Sequence, residues 1–497
     1  MGPGGRGRGA NAPLLGGRYG GGGYGAVNGE PYGLQEVTLD EEGTIAGGAR
    51  TLSVGVVAPI GGTLNMSSLS GIRDPMVSVR MDMEDDVDAR ERELEWATRL
   101  KALKEEKTRA LPLRSVFNLC VASIGAGLLS FPYAFKDTGV AGGLTVCVVF
   151  MVLGGLGLHV LAKAALSLRE FPDSYQSLLE AIIGRKVAVF ATLTMLLYLA
   201  GSCIVYLTVV GNLLSPLIKS FTGGGFISSS WLIIIVVGWA AIFPLTLLRN
   251  ITVLGFTSAL AVLAIVFAAG YVTYRGAVLP KDKVPDDINW GFNFDLDFLL
   301  GVPIIAFGFQ CHILLVPVCA EMRRRNIERI DLAIVVAMIA CLIIYVLTGL
   351  FGYYTFGSAI DADFLNSYET DAVVTTARLA FVVVCIFSYP LLSFNARLTI
   401  RSLFFGGKPL RSTPFLIVTT AFFAFTMAAA ITIPGITVVF QFVGSTSVVL
   451  LMFVFPGIIY LKDSLESKHA FWGGVSIIFG IVLGAACTGA TVRSLFK

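Results

Sequence analysis

The stretch SIGAGLLSFP, residues 123–132, lies inside the first long apolar run of the chain. A helix that crosses a bilayer must bond its own backbone groups, because hydrocarbon offers no partner to a free amide or carbonyl. Two glycines and a proline within ten residues work against that requirement. The stretch therefore reads as an interruption in a membrane helix; the plainer use of such glycines, close packing of neighbouring helices, stays open while it is considered alone.

The surrounding composition is that of a polytopic membrane protein. Of 497 residues, 55% are hydrophobic and 14% charged, and the mean hydropathy is +0.77, a balance unsuited to a water-soluble domain. A formal net charge of +3 gives no reason to expect a nucleic-acid partner. Windows of about 20 residues pick out about eleven spans, near 113–135, 140–168, 187–218, 228–247, 252–274, 297–320, 331–356, 372–395, 413–433, 436–461 and 470–492. The expected fold is thus all-α, with a lipid bilayer as its solvent. All eight cysteines fall within or beside these runs and read as small buried residues, not as loop staples.

The connections assign sides. Loops 168–186, 248–250, 321–331, 397–411 and 461–469 carry most of the Lys and Arg behind the first span, whereas loop 356–372 has four acids and no base. The positive-inside rule then places the N-terminus in the cytosol. Residues 1–95 form a tail in which 17 of the first 50 positions are glycine; with no periodic apolar pattern, it is expected to be disordered and cytosolic. It has no signal-peptide pattern. Residues 96–112 form a juxtamembrane segment in which Trp96, Leu100 and Leu103 share a helical face beside lysines, so it reads either as an amphipathic helix on the membrane surface or as a solvated linker. The transmembrane domain is expected over 113–497. The sequons at Asn65 and Asn250 fall on the cytosolic side of this scheme.

Several function classes lack their signatures. The pair Gly407-Lys408 is followed by Pro409 and lacks the spacing of a nucleotide-binding loop, and there are three histidines with no HExxH pattern. No enzyme, organic cofactor or resident metal is expected. What remains is a secondary transporter, for which the expected features are interrupted helices at matching places in two halves of the chain. The sixth run, GVPIIAFGFQCHILLVPVCAE (301–321), supplies the match through Pro303, Gly308 and Pro317. Spans one to five and six to ten then read as inverted repeats of five, with one span appended.

These residues also carry a resemblance. SVFNLCVASIGAGLLSFPYAFKDTG (115–139) resembles the first helix of the amino acid/auxin permease family, particularly its sodium-coupled neutral and vacuolar amino acid transporters. FGFQCHILLVPVCAE (307–321) is similar to that family's sixth helix, RLAFVVVCIFSYPLLSFNAR (378–397) to its eighth and GSCIVYLTVVGNLL (201–214) to its third. The resemblance implies a LeuT-like fold and an amino acid substrate, carried by a monomer that rocks one helix bundle against another.

At residue level, unwinding at Gly125-Ala126-Gly127 would expose amides to a substrate carboxylate, and carbonyls around Ser123 and Ala122 would face its ammonium or a coupling cation. Tyr206 would add a hydroxyl to the carboxylate, or be an ordinary packed aromatic. Phe307, Phe309 and Gln310 would line an apolar side-chain pocket, which suits a neutral amino acid. For the coupling ion, H+ or Na+, Ser388 beside Pro390 is the best oxygen donor, with Asn118 the nearby amide. The family's sodium-coupled members are expected to carry Asn where this chain has Val121, and its loss raises the case for protons. His312 is then either the titrating group or a buried neutral imidazole bonded to a carbonyl. Glu321 is a gate or an interfacial ion pair. Proton coupling and the lack of sequons in outward loops favour an endomembrane such as a vacuole over the plasma membrane. Two alternatives stay open: an amino acid receptor that signals through its N-terminal tail, and a carrier of auxin or another organic anion.

Overall fold

Long uncharged runs of Leu, Val, Ile, Phe and Ala leave a helix as the way to satisfy the backbone within each segment, and the described residues are helical with no strand among them. The computed structural model describes residues 113–496 apart from 249–256, 323–324, 407, 409–410, 434 and 464–466. The expected tail (1–95) and juxtamembrane segment (96–112) lie outside the described residues.

The first apolar run gives α1 (Leu113–Ser123) and α2 (Phe131–Thr138), joined through a 3-10 turn (Ala126–Ser130). α3 (Val140–Ser167) follows directly. The reversal between them turns on Gly139, whose φ of +75° favours glycine, and where a Cβ would run into the Gly291 carbonyl oxygen. Within the loop that follows lies a short helix, α4 (Tyr175–Ile182), capped by the Ser174 hydroxyl on the Ser177 amide. Then come α5 (Arg185–Thr222), α6 (Ser230–Thr246) and α7 (Thr257–Ala277). The sixth run gives α8 (Leu296–Gly308) and α9 (His312–Ala320). The chain continues through α10 (Ile327–Phe356), α11 (Ala372–Phe404), α12 (Ser412–Thr432), α13 (Ile436–Lys462) and α14 (Ser467–Leu495).

Among the described residues, nine helices are long and apolar enough to cross a membrane, and ten if the bent pair at the first run is one crossing; α6 is an apolar helix below that length. The core gathers on α5, on α8 with α9 and on α13, whose most apolar windows are 72%, 78% and 78% buried, while helices such as α14 at 22% face outward. The second interrupted helix, α5 and α13 are therefore central, and the turn Ala126–Ser130 of the first is buried among them.

Candidate functional site

α1 stops at Ser123, and Ile124 and Gly125 carry the chain through a bend of 45° before Ala126 opens the next turn. The interruption expected from SIGAGLLSFP is present. Its cause is different in one respect: Gly125 has φ −96°, so left-handed backbone freedom is not what the glycine provides. A Cβ there would come 3.1 Å from the Tyr206 hydroxyl oxygen, so it is the missing side chain that lets Tyr206 reach the break. At Gly127 a Cβ would meet the Phe307 ring at 3.5 Å, an ordinary contact.

The second break lies at Phe309-Gln310-Cys311, between α8 and α9. The prolines that drew attention to this run sit inside its two helical halves, and the break instead follows Gly308. A Cβ on Gly308 would come 2.6 Å from the ring of Phe131, so the glycine is the point at which α2 crosses α8.

Each break leaves a carbonyl pole where one half-helix ends and an amide pole where the next begins, groups with no intrahelical partner. One side chain ties the two carbonyl poles together. Tyr345 on α10 places its hydroxyl 2.9 Å from the Ser123 carbonyl and 2.7 Å from the Gly308 carbonyl. Its ring is fully buried, stacked on Phe131 at 3.9 Å and edge-on to Phe309 at 5.1 Å.

A cavity of about 410 Å³ opens between the breaks. From the first break it takes Asn118, Val121, Ala122, Ser123, Gly125 and Ala126, a run at helical spacing. From the second it takes Phe307, Gln310 and Cys311, and from α11 Ser388. Tyr206 reaches in from α5, with its hydroxyl interacting with the Ser388 side chain. The buried Ser123 hydroxyl has no hydrogen-bond partner. The cavity ends at Glu321, an exposed residue at the end of α9. Among the described residues that line it, Glu321 is the sole charged side chain.

Three residues named from sequence are elsewhere. Gly127 and Phe309 pack behind the lining, and His312 is buried between α9 and α3. Its Nε2 lies 3.1 Å from the Gly154 carbonyl and its Nδ1 3.0 Å from the Gln310 side-chain oxygen. Gly157 makes room for the ring, since a Cβ there would come 3.1 Å from Nε2. A carbonyl only accepts, so Nε2 carries the proton toward Gly154. A neutral ring then needs a donor at Nδ1, and the Gln310 amide nitrogen, buried without a partner, supplies one if the amide is turned over. That turn places the Gln310 oxygen in the buried position its nitrogen holds here.

The cavity also contains residues not singled out from sequence: Tyr198 and Ser202 on α5, and Asn395 on α11. Tyr198, Ser202 and Tyr206 recur every four residues, and Ser388 and Asn395 are seven apart, so polar stripes on otherwise apolar helices were the available signal. Tyr345 had none, because its hydroxyl partners lie 222 and 37 residues away.

Comparison with known proteins bears on the family. Residues 109–495 match the family model described as transmembrane amino acid transporter protein. The sodium-coupled neutral amino acid transporter 7 of Xenopus laevis is 30% identical over 397 residues, covering 75% of this chain and 86% of that protein. Human solute carrier family 38 member 8 is 28% identical over 415 residues, covering 77% of this chain and 94% of its own. A solved structure of a mutant manganese transporter from Eremococcus coleocola aligns over 76% of this chain and 85% of its own at 12% identity with a TM-score of 0.46, a likeness too loose to build on. The chain belongs to the transmembrane amino acid transporter family.

Proposed function

We propose that the chain is a secondary active transporter that moves neutral amino acids across a membrane, coupled to H+ or Na+. The observation that carries this reading is the cavity between two helix breaks, whose lining presents main-chain poles and hydroxyls and a single charged side chain at its exposed end. A zwitterion taken from water needs both of its charges matched. The amides that open the turn after Gly125 suit the carboxylate, with the Tyr206 hydroxyl beside them. The carbonyls that close α1 suit the ammonium. Phe307 and its neighbours leave an apolar space for the substrate side chain, with no buried acid or base to pair with a charged one.

The coupling cation is assigned to the region of Ser388, Asn118 and the Ala122 carbonyl, which share the cavity with the substrate groups. Val121 lines the same wall without offering a side-chain oxygen, which favours H+ over Na+ although the Xenopus relative is named as sodium-coupled. In this reading α6 is an eleventh crossing, the N-terminus is cytosolic, and Glu321 guards a cavity open toward the cytosol. The protein works as a monomer in an endomembrane. Uptake of labelled amino acids into proteoliposomes under a proton or a sodium gradient, each imposed alone, tests the proposal. Acceleration of a neutral amino acid by one gradient supports it; no acceleration of any amino acid by either refutes it.

A further inference from the structure

α10 starts beside Glu321 and runs 30 residues to Phe356, so the loops beyond Phe356 lie on the face away from the open end of the cavity. Two loops close that face. Residues 280–295 lie across the ends of α2, α3 and α10: the Asn293 amide donates to the Thr138 carbonyl at 2.9 Å, the Val140 amide to the Asn289 carbonyl at 2.9 Å, and the Ser358 amide to the Asp287 carboxylate at 3.0 Å. Residues 360–371 bear directly on the first break. The Ser130 hydroxyl, in the turn between α1 and α2, donates to the Ala362 carbonyl at 2.6 Å, and the Asn366 side-chain amide reaches the Asn212 carbonyl of α5 at 3.4 Å. Arg378, 1% exposed near the start of α11, gathers this loop by donating to the Leu365 and Tyr368 carbonyls at 2.9 and 3.1 Å and to the Thr370 hydroxyl at 2.9 Å.

Between Ala362, held by Ser130, and Leu365, held by Arg378, stands Asp363. It is 2% exposed; neither carboxylate oxygen completes a well-aligned hydrogen bond, although the Leu365 amide lies close enough to favour the charged form slightly. A buried ionised carboxylate without a partner is costly, and a proton removes the cost. The charged and titratable groups around it are Arg378 and Cys385 of α11 and Asp361 of the same loop, with Asp371, Tyr368 and the Arg275–Tyr271 pair of α7 further out. From α5 and from the Ala126–Ser130 turn the loop meets the neutral Asn212 and Ser130.

We propose that Asp363 is a proton-binding site of the gate on the face away from Glu321, and that taking up a proton there lets loop 360–371 close over the broken first helix. This rests on the reading of the chain as a coupled carrier and gives the proton arm of that reading a residue. The closed loop seen here holds Asp363 out of water, and burial pushes its pKa up to about 7, against the smaller pull of the Leu365 amide and Arg378. When the loop lifts, water returns to the carboxylate and the ordinary value near 3.8 applies. Between those values the closed form keeps a proton that the open form has released, so closure is favoured as the pH on that side falls. From pH 7.5 to 5.5 the shift in the closed-to-open equilibrium comes to about 25-fold, worked from those two pKa values. A proton bound on closure and released when the loop next lifts links the gate to the gradient.

The test compares the wild type with Asp363→Asn, which imitates the protonated side chain, and Asp363→Glu, which keeps a titrating group. Two measurements apply: proteoliposome uptake of a labelled neutral amino acid with the pH varied on the loop side, and the unfolding temperature of the full chain in detergent between pH 7.5 and 5. The expected result is a wild-type response to falling pH in both, retained by Asp363→Glu, with Asp363→Asn changing less than twofold in flux and losing the stabilisation. An Asp363→Asn protein that keeps the wild-type pH response in both overturns the proposal. If the wild type carries no amino acid, the functional reading fails, and the melting curves alone still decide whether Asp363 binds the proton.

Discussion

Replacing Tyr345 with Phe removes one hydroxyl and nothing else from the point where the two helix breaks meet. The ring keeps its stack on Phe131 at 3.9 Å and its edge contact with Phe309 at 5.1 Å. Lost is the donor that lies 2.9 Å from the Ser123 carbonyl and 2.7 Å from the Gly308 carbonyl. A single proton cannot serve both acceptors fully, and the Ser123 carbonyl keeps the Gly125 amide at 3.0 Å, so the loss is about one good bond plus the cost of a weakened acceptor at Gly308, on the order of 1–3 kcal/mol. That free energy holds the carbonyl poles in the arrangement proposed to bind substrate. If it lowers the population of that arrangement, apparent affinity falls in proportion, and about 1.4 kcal/mol corresponds to tenfold. The assay is the concentration dependence of amino acid uptake into proteoliposomes, with the unfolding temperature measured alongside. Tyr345→Phe is expected to raise KM about tenfold and lower the unfolding temperature, while Tyr345→Leu, which also gives up the ring contacts, is expected to be the less stable of the two. Wild-type KM and unfolding temperature in Tyr345→Phe would refute the role given to the hydroxyl.

The two glycines of the first break are expected to behave differently under methylation. Gly125→Ala, whose Cβ would come 3.1 Å from the Tyr206 oxygen, should cut flux about tenfold through a shift of about 1.4 kcal/mol; Gly127→Ala, which meets Phe307 at 3.5 Å, should transport close to normally. Gly157→Ala places a methyl 2.8 Å from the Met452 carbonyl and 3.1 Å from His312 Nε2, so overpacking of about 1–3 kcal/mol should appear as a lower unfolding temperature. Ser388→Ala should weaken the dependence of uptake on its driving ion more than the KM for substrate, measured by titrating that ion at fixed amino acid; an unchanged ion titration would remove Ser388 from the coupling site.

Much of the fold was legible because membrane helices must satisfy themselves locally: hydropathy windows found the apolar runs, and the glycines of 123–132 marked the first break. The second break was located in the right run but for an incomplete reason. Pro303 and Pro317 are accommodated within helices, and the helix ends at Gly308, which is glycine because Phe131 arrives there from α2, a tertiary fact. Gly125 likewise is glycine on account of Tyr206, 81 positions away in the chain. Of the candidate site, Asn118, Ala122, Ser123, Gly125, Ala126, Tyr206, Phe307, Gln310, Ser388 and Glu321 line one cavity. His312 was drawn in by its chemistry, yet its ring is held behind Gln310 by a carbonyl of α3. Tyr345 and Asp363 were missed for one reason: neither stands out in its own segment, and each acquires its role from elements that only the fold brings beside it.

The claim that main-chain poles at the first break read both ends of an amino acid is tested most directly by competition in the uptake assay. The free amino acid is set against its methyl ester, which lacks the carboxylate, and its N-acetyl form, which lacks the ammonium. Loss of a charge-assisted set of bonds is worth about 1.5–3 kcal/mol, so each derivative is expected to compete at least tenfold more weakly than the parent. An ester or N-acetyl derivative that competes as well as the free amino acid would contradict the account.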